Sequence, residues 1–316
     1  MDEEALLDTL TRGTRELRLA YAEVIAYLRE QNSLAELERL IAAGHVDDAI
    51  QHLERAAAKI VERIEAVYTR AALETARAVT QAGNLITYSA SHPTAVRALE
   101  TLKLDKIREF TEQQRQLTRQ VLRSGLDRGL NPRAMARELR GSIGLTGRQE
   151  QMVQNYRTQL ERGQWSAARS RELHDGRFDQ TMQAARRREL ELSAEQVDRM
   201  VERYRLNWQI HRAQTIARTE ALSAVHMGAD QAYVQAIDEG ELHAEQLECV
   251  WRSGNPPRTR DYHASMNNQR RPWRVPFVSG YGAQLMYPGD PSASAEERVN
   301  CICARIVRVR SVGRYD

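Results

Sequence analysis

Proline is distributed very unevenly along this chain of 316 residues. Six of its eight prolines, all three cysteines and two of its four tryptophans fall within the segment from Cys249 to Cys303, and the 248 residues before it contain only Pro93 and Pro132. Because proline breaks the interior of a helix, long helices are possible before Cys249 and excluded after it. The sequence therefore predicts a long helical region followed by a small, irregular module.

Local capping signals divide the helical region into segments. Capping-box pairs and an Asn-Pro pair mark helix starts, and glycines mark helix ends. Apolar residues recur at helical spacing between these signals. The predicted helices cover about 3–30, 33–44, 46–81, the stretch from the Ser91–Pro93 turn to Gly129, 131–141, 146–163 and 193–240, with a loop around Gly176.

After Leu247 the pattern changes to short β-type runs separated by Gly and Pro turns. These runs are 250–251, 273–275, 277–278 and 302–312. We predict a mainly α fold, in which long antiparallel helices precede a small α+β C-terminal module whose core holds Trp251, Phe277 and Tyr287. The predicted regions are an N-terminal helical region (1–145), a helical connector ending in a long helix (146–246) and the module (247–316).

Positive charge is concentrated in the module and is almost all arginine. The formal net charge is +3, and from Leu247 onward there are 11 arginines and no lysine against 6 acidic residues. Arginine forms bidentate contacts with phosphate and carboxylate groups. Arg270, Arg271 and Arg274 are the most clustered candidates for contacts with nucleic acid. For these three arginines the alternative is a solvated basic loop. For the preference for arginine over lysine in the whole chain, the alternative is an arginine-biased genome.

Several classes of protein are not expected. The start of the chain lacks a basic region followed by an apolar stretch, so no secretory signal is predicted. No run of 18 apolar residues is present, so no transmembrane helix is predicted. Three cysteines do not form a secreted disulfide framework. A reducing cytoplasm is the expected place of synthesis.

His263 follows Arg258 and Arg260 within six residues. A histidine beside two arginines can hold phosphate or perform acid–base chemistry, because its ordinary pKa lies near neutrality. The other interpretation is a structural histidine whose hydrogen bond ties down a loop. No second histidine or paired carboxylate lies nearby in sequence, which favours the structural interpretation.

The cysteines allow a metal site without requiring one. Cys249, His263, Cys301 and Cys303 together offer three sulfurs and one nitrogen, which zinc accepts. The Cys-x-Cys spacing is shorter than that of the usual zinc motifs, and buried thiols also serve as small apolar side chains. We predict no metal and no cofactor, with this zinc set as the alternative.

A motif on the last long helix, Ile216–Ala221, carries two charged residues among apolar ones. On a helix Thr219 and Ser223 share a face, whereas Arg218 and Glu220 do not face each other. Either Arg218 and Glu220 are fixed partners of the C-terminal module, or they belong to a solvated helix surface.

Taken in order, these motifs resemble the phage head morphogenesis family of minor head proteins, the Mu F-like group. The resemblance covers about 130 residues, and the helical region before Gly141 is similar only in style. Two departures are Asn268-Gln269, where Gly-Gln is usual, and Ile302, where a basic residue is usual. The motifs are Arg177–Asp179, Ile216–Ala221, Trp251, Arg258–Arg260, His263, Phe277, Tyr287–Asp290, Ala295-Glu296 and Asn300–Cys303.

The resemblance implies a non-enzymatic structural protein of a tailed phage virion, assembled in the bacterial cytoplasm and located at the portal vertex inside the head. Its implied partner is the portal protein. Further copies of itself, scaffold, major capsid protein and packaged double-stranded DNA are also expected as contacts, and no membrane is expected during assembly. It also implies a role in head morphogenesis and in DNA packaging or ejection. A nuclease or toxin-like enzyme and a plain DNA-binding module remain the alternatives.

The residues that the resemblance singles out as a structural motif are Arg218, Glu220, Trp251, Arg258, Arg260, His263, Tyr287, Asp290, Asn300, Cys301 and Cys303.

Overall fold

The computed structural model describes residues 1–45, 53–254 and 259–310, and at 53–55, 57 and 101–111 it describes the backbone alone. The described residues are mainly helical, with a small antiparallel sheet near the C-terminus. The predicted fold class is therefore confirmed. The helices are α1 (Glu3–Gln31), α2 (Leu34–Ala42), α3 (Leu53–Gln81), α4 (Pro93–Asp127), α5 (Pro132–Ser142), α6 (Gly147–Glu161), α7 (Trp165–Arg169), α8 (Asp179–Arg188), α9 (Ala194–Asp238), α10 (Asp261–Ala264) and α11 (Ala295–Arg298).

The predicted helix starts are formed by the expected hydrogen bonds. Thr146 Oγ1 accepts from the backbone N–H of Gln149 at 3.2 Å, and the Gln149 side chain accepts from the backbone N–H of Thr146 at 3.0 Å. The same reciprocal pair joins Ser193 and Gln196. Such bonds satisfy amide groups that have no partner inside the helix. These starts are therefore fixed by local sequence.

Contacts divide the chain into two compact units. Unit 1 comprises 1–21, 58–106 and 214–316, and unit 2 comprises 22–57 and 107–213. Each unit is assembled from separate stretches of sequence, whereas the three predicted regions were consecutive. The helices α1, α3, α4 and α9 each contribute residues to both units.

Unit 2 has an aromatic core. The rings of Tyr156 and Tyr204 lie 4.4 Å apart, and Trp208 meets Tyr204 edge-on at 6.3 Å. Next to them the buried guanidinium of Arg205 lies 3.1 Å from the carboxylate of Glu150. A buried charge of this kind is tolerated because it is paired.

Unit 1 contains the sheet. Its strands are β1 (Leu247–Arg252), β2 (Arg270–Pro272), β3 (Phe277–Val278), β4 (Gln284–Leu285) and β5 (Ala304–Val309). The central strand β1 pairs antiparallel with β2 and β5, and β3 and β4 form a separate hairpin. Register places Trp251 opposite Arg305 and Cys249 opposite Val307. Trp251 and Cys249 lie two residues apart on β1 and therefore on the same face of the sheet.

Several predicted element bounds differ from the structure. The run predicted at 250–251 is longer, since β1 covers Leu247–Arg252. The β run predicted at 273–275 is wrong, because β2 ends at Pro272 and Arg274 adopts a left-handed φ of 63°. Trp273 is nevertheless buried. The final run is shorter than predicted, with β5 ending at Val309. The start of the predicted 46–81 helix lies outside the described residues, and α3 is described from Leu53.

The predicted core of the module is confirmed for Trp251 and Phe277, which are fully buried with ring centroids 5.3 Å apart. Tyr287 is only partly buried and stacks on His226 of α9 at 6.1 Å. Among the described residues, no helix is long and apolar enough to cross a bilayer.

Candidate functional site

The candidate site is centred on His263, which lies in the one-turn helix α10 and is 1% exposed. Its Nε2 lies 2.6 Å from Glu297 Oε2. The other carboxylate oxygen, Glu297 Oε1, accepts a hydrogen bond from Ser279 Oγ at 3.0 Å. Both Glu297 and Ser279 are buried. Glu297 thus fixes the orientation of the imidazole, and Ser279 fixes the Glu297 carboxylate.

Two cysteines face the other ring nitrogen. Cys301 Sγ lies 3.5 Å from His263 Nδ1, and Cys303 Sγ lies 3.8 Å from the same atom. Both cysteines are buried and reduced. They follow α11 and lead into β5, whose pairing with β1 begins directly after Cys303. The sheet register therefore fixes the position of this Cys-x-Cys segment.

The charge state of the cluster follows from these contacts. The pKa of Cys303 falls to about 5, first because of its hydrogen bond with Cys301 and further because of that with His263. The hydrogen bond to Cys303, followed by burial, raises the pKa of Cys301. Burial acts to lower the pKa of His263, but its hydrogen bonds with Cys303 and Glu297 outweigh burial and raise it. These hydrogen bonds therefore lower the pKa of the Cys303 thiol and raise that of the His263 imidazole.

An aromatic wall closes the site. Trp251 meets the His263 ring edge-on at 5.8 Å, and Tyr262 does so at 5.0 Å. Tyr262 stacks in turn on Tyr281 at 4.4 Å. With 1% of its surface exposed, His263 is not open to an external substrate. The structural interpretation of His263 fits this geometry better than acid–base catalysis.

The motif on α9 meets the cysteine segment through its uncharged residues. Thr219 Oγ1 accepts a hydrogen bond from the backbone N–H of Asn300 at 3.1 Å. Ser223 Oγ, one turn further, donates to the carbonyl of Gly289 at 2.8 Å. Exposed Arg218 reaches the Asn300 side chain only at 3.4 Å. The buried partners of the module are therefore Thr219 and Ser223, on the face that the helical spacing predicts.

Glu220 is partly buried. The two charged residues of the motif therefore differ in exposure. Arg218 is exposed and contacts Asn300, whereas Glu220 is less exposed.

The turn before α11 has a defined architectural role. The Asp290 carboxylate accepts hydrogen bonds from the backbone N–H groups of Met286 and Ser292, each at 2.9 Å. Gly289 adopts a left-handed φ of 80°, and a Cβ there would lie 3.1 Å from the backbone nitrogen of Ser223. A side chain at 289 would therefore be strained and would crowd α9.

The predicted arginines have different surroundings. Arg260 donates a hydrogen bond to the carbonyl of Val299, which joins α10 to the segment before the cysteines. Arg258 lies outside the described residues. Arg260 is thus a structural link rather than a free cation.

The three arginines proposed for nucleic acid are not a free basic cluster. Arg270 lies 3.4 Å from Glu248, and Arg274 lies 3.1 Å from Asp230. Arg274 also sits over the Trp273 ring at 5.1 Å. Arg271 is partly buried. Sequence clustering missed these acidic neighbours because β1 and α9 supply them through the fold.

Three of the four residues in the alternative zinc set come together. The ligand atoms of His263, Cys301 and Cys303 all lie within 4.8 Å of one another. In the described part of the chain, this is the one group of three or more His, Cys, Asp or Glu side chains that could hold a metal ion. Cys249 does not belong to it. The sequence analysis did not identify Glu297 as a partner of His263. The signal available was its position between the Ala295-Glu296 and Asn300–Cys303 motifs.

Comparisons of this chain with protein-family models, with curated proteins and with solved structures found no match.

Proposed function

We propose that this chain is a minor head protein of a tailed bacteriophage, which binds the portal inside the procapsid and acts in head morphogenesis without catalysis. One observation carries the proposal. Motifs that resemble the Mu F-like group in sequence order, from Thr219 to Cys303, contact one another within unit 1 and form a network of paired polar groups: Thr219 with Asn300, Ser223 with Gly289, and His263 with Glu297 and the cysteines.

This network is architectural in character. Its polar groups are mostly buried and bonded to one another, which leaves no reacting group aimed at solvent. Such buried networks stabilise a single arrangement of the backbone. A rigid module joined to long helices suits a protein whose role is to occupy a fixed place in an assembly. DNA packaging or ejection is part of the proposed role, and packaged DNA, scaffold, major capsid protein and further copies of the chain are proposed secondary contacts.

The test is association with phage heads. Procapsids and mature heads from the phage that encodes this chain would be purified and searched for it by mass spectrometry. In parallel, the tagged full chain would be co-expressed with the portal protein of the same genome and with an unrelated portal as control. We expect the chain in procapsids and co-elution with its own portal only. Absence from both particles, with no co-elution, would contradict the proposal.

A single substitution distinguishes the nuclease alternative from the structural role. The full chain and its His263→Ala variant would be incubated with RNA and with single- and double-stranded DNA. We expect no cleavage by either protein above a mock-purified control. Cleavage by the wild-type chain that His263→Ala abolishes, with folding intact by circular dichroism, would favour the enzyme over the structural protein.

DNA binding through the module is the second alternative, and Arg271 is its best remaining candidate. If phosphate contacts drove binding, affinity would fall steeply with salt. Arg271→Glu would then weaken binding irrespective of DNA sequence. Because Arg270 and Arg274 are paired with carboxylates, we expect weak binding and a small effect of Arg271→Glu.

A further inference from the structure

We propose that His263 Nδ1, Cys301 Sγ and Cys303 Sγ bind a Zn²⁺ ion, and that Glu297 positions the imidazole from its opposite side. The site uses three of the residues weighed as a zinc set in the sequence and replaces Cys249 with an outer partner. It does not depend on the proposed role in phage heads.

The distances match zinc coordination. Tetrahedral zinc with Zn–N bonds of about 2.0–2.1 Å and Zn–S bonds of about 2.3 Å places the nitrogen and each sulfur about 3.6 Å apart. The two observed separations from His263 Nδ1 are 3.5 Å for Cys301 and 3.8 Å for Cys303. All three ligand atoms lie within 4.8 Å of one another. Both nitrogen–sulfur separations therefore fit a single tetrahedral zinc ion.

A metal ion would use the ring nitrogen and both sulfurs together. The neutral imidazole offers a single lone pair at Nδ1, and both sulfurs face that one atom. A metal ion lying between the nitrogen and the two sulfurs uses the lone pair and both sulfurs at once.

The surroundings of His263 are those of a metal ligand. Histidines that bind metals usually donate their other N–H to a carboxylate, which fixes the tautomer and orients the ring. Glu297 Oε2 occupies that place, 2.6 Å from Nε2, and Ser279 holds the second carboxylate oxygen at 3.0 Å. This bond favours the proton on Nε2 and leaves the Nδ1 lone pair directed at the sulfurs.

Charge and ligand type select the ion. Two thiolates balance the two charges of Zn²⁺, so the loaded centre is neutral, which suits side chains that are 1–2% exposed. Sulfur and imidazole together favour zinc over magnesium or calcium, which prefer oxygen ligands. Three protein ligands leave one tetrahedral position for water.

A surface groove runs beside the cysteine segment. Cys301 lines a surface groove of about 570 Å³ together with Leu10, Arg218, Leu222 and Ile302. Arg218 at its edge is exposed.

The experiment measures metal in the full-length protein, with Cys249→Ser as the matched control because Cys249 is buried yet outside the group. Wild type, Cys249→Ser, Cys301→Ser and Cys303→Ser would be dialysed against zinc and then metal-free buffer, and analysed by elemental mass spectrometry. We expect about one zinc per chain in wild type and Cys249→Ser and loss of zinc in the other two. Glu297→Gln should weaken zinc affinity by about 10–100-fold.

A second measurement does not depend on the variants folding. Cobalt(II) added to the metal-free wild-type chain should produce a sulfur-to-cobalt charge-transfer band in the near ultraviolet, which zinc then removes. Absence of this band, or equal zinc loss in Cys249→Ser and Cys303→Ser, would overturn the proposal. A mass two hydrogens below that of the reduced chain, locating a Cys301–Cys303 disulfide in the purified protein, would overturn it as well.

Discussion

The carboxylate of Asp230 on α9 lies 2.8 Å from the guanidinium of Arg305 on β5. Both residues are buried, and the Arg305 guanidinium also lies 5.4 Å from the Trp273 ring centroid and 5.2 Å from that of Tyr287. Asp230 is shared with exposed Arg274 at 3.1 Å. This ion pair joins the long helix to the sheet at a point where neither charge is well solvated.

Removing one partner of this pair should destabilise the protein strongly. Asp230→Ala leaves the Arg305 charge buried and unpaired, which costs about 3–5 kcal/mol in the free energy of unfolding. The matched control is Arg274→Ala, which removes the exposed partner of the same carboxylate and should cost only about 0–1 kcal/mol. Urea unfolding followed by tryptophan fluorescence measures both. Equal losses in the two variants would contradict a special role for the buried pair.

His226 should make stability depend on pH. Burial first, and then the charge of Arg305, lower the pKa of His226 well below its ordinary value. The unfolded chain binds a proton here more readily than the folded chain does. Above the unfolded pKa of about 6.5, the neutral His226 makes its full contribution to the free energy of unfolding. As pH falls below that value, this contribution is lost by up to about 1.4 kcal/mol per pH unit.

The groups facing His226 are Arg305 and the Tyr287 ring, with Asp230 one helical turn further along α9. His226→Phe keeps a ring against Tyr287 and removes the titration. We expect its loss of stability between pH 6.5 and pH 5 to be smaller than that of wild type by up to about 2 kcal/mol. The exposed His243, changed to Gln, serves as control and should leave the slope unchanged. Parallel pH profiles for wild type and His226→Phe would disprove the assignment.

What the sequence could predict was local. The reciprocal bonds of Thr146 with Gln149 lie within one helical turn, so residue types and spacing were enough to place them. Proline depletion likewise predicted that α9 runs unbroken to Asp238. The four-residue helices α10 and α11 were missed because a single turn carries no hydrophobic periodicity. The helices α7 and α8, on either side of the loop predicted around Gly176, were missed as well.

Contacts between distant segments could not be predicted. Thr219 and Asn300 are 81 positions apart, and their bond depends on the packing of the module against α9. The basic run at Arg270 appeared free because Glu248 approaches it only through the β1–β2 register. For His263, the expected structural hydrogen bond is present, with Glu297 as its partner, but the convergence of two sulfurs on its ring required the fold.

Trp251 should be essential for the module. It is fully buried between Phe277 and His263, with ring centroids at 5.3 and 5.8 Å. Trp251→Ala should cost about 3–5 kcal/mol and expose residues 247–310 to limited proteolysis. Trp165→Ala, a partly buried residue of unit 2, is the control and should leave cleavage of that segment unchanged. Unchanged protease resistance in Trp251→Ala would show that the core of the module lies elsewhere.

Gly228 lies where α9 packs closely against α3 in unit 1. A Cβ at this position would lie 2.1 Å from the carbonyl oxygen of Tyr68 on α3, a backbone atom that cannot rotate away. Alanine is normally favoured over glycine inside a helix by about 1 kcal/mol, so propensity alone predicts that Gly228→Ala is stabilising. The clash should reverse that sign and destabilise the protein by about 1–3 kcal/mol, as overpacking does. The control is Gly176→Ala, where an added Cβ meets nothing within 4 Å, and thermal unfolding of the two variants measures the difference. A Gly228→Ala protein as stable as wild type would mean that α3 and α9 separate at little cost.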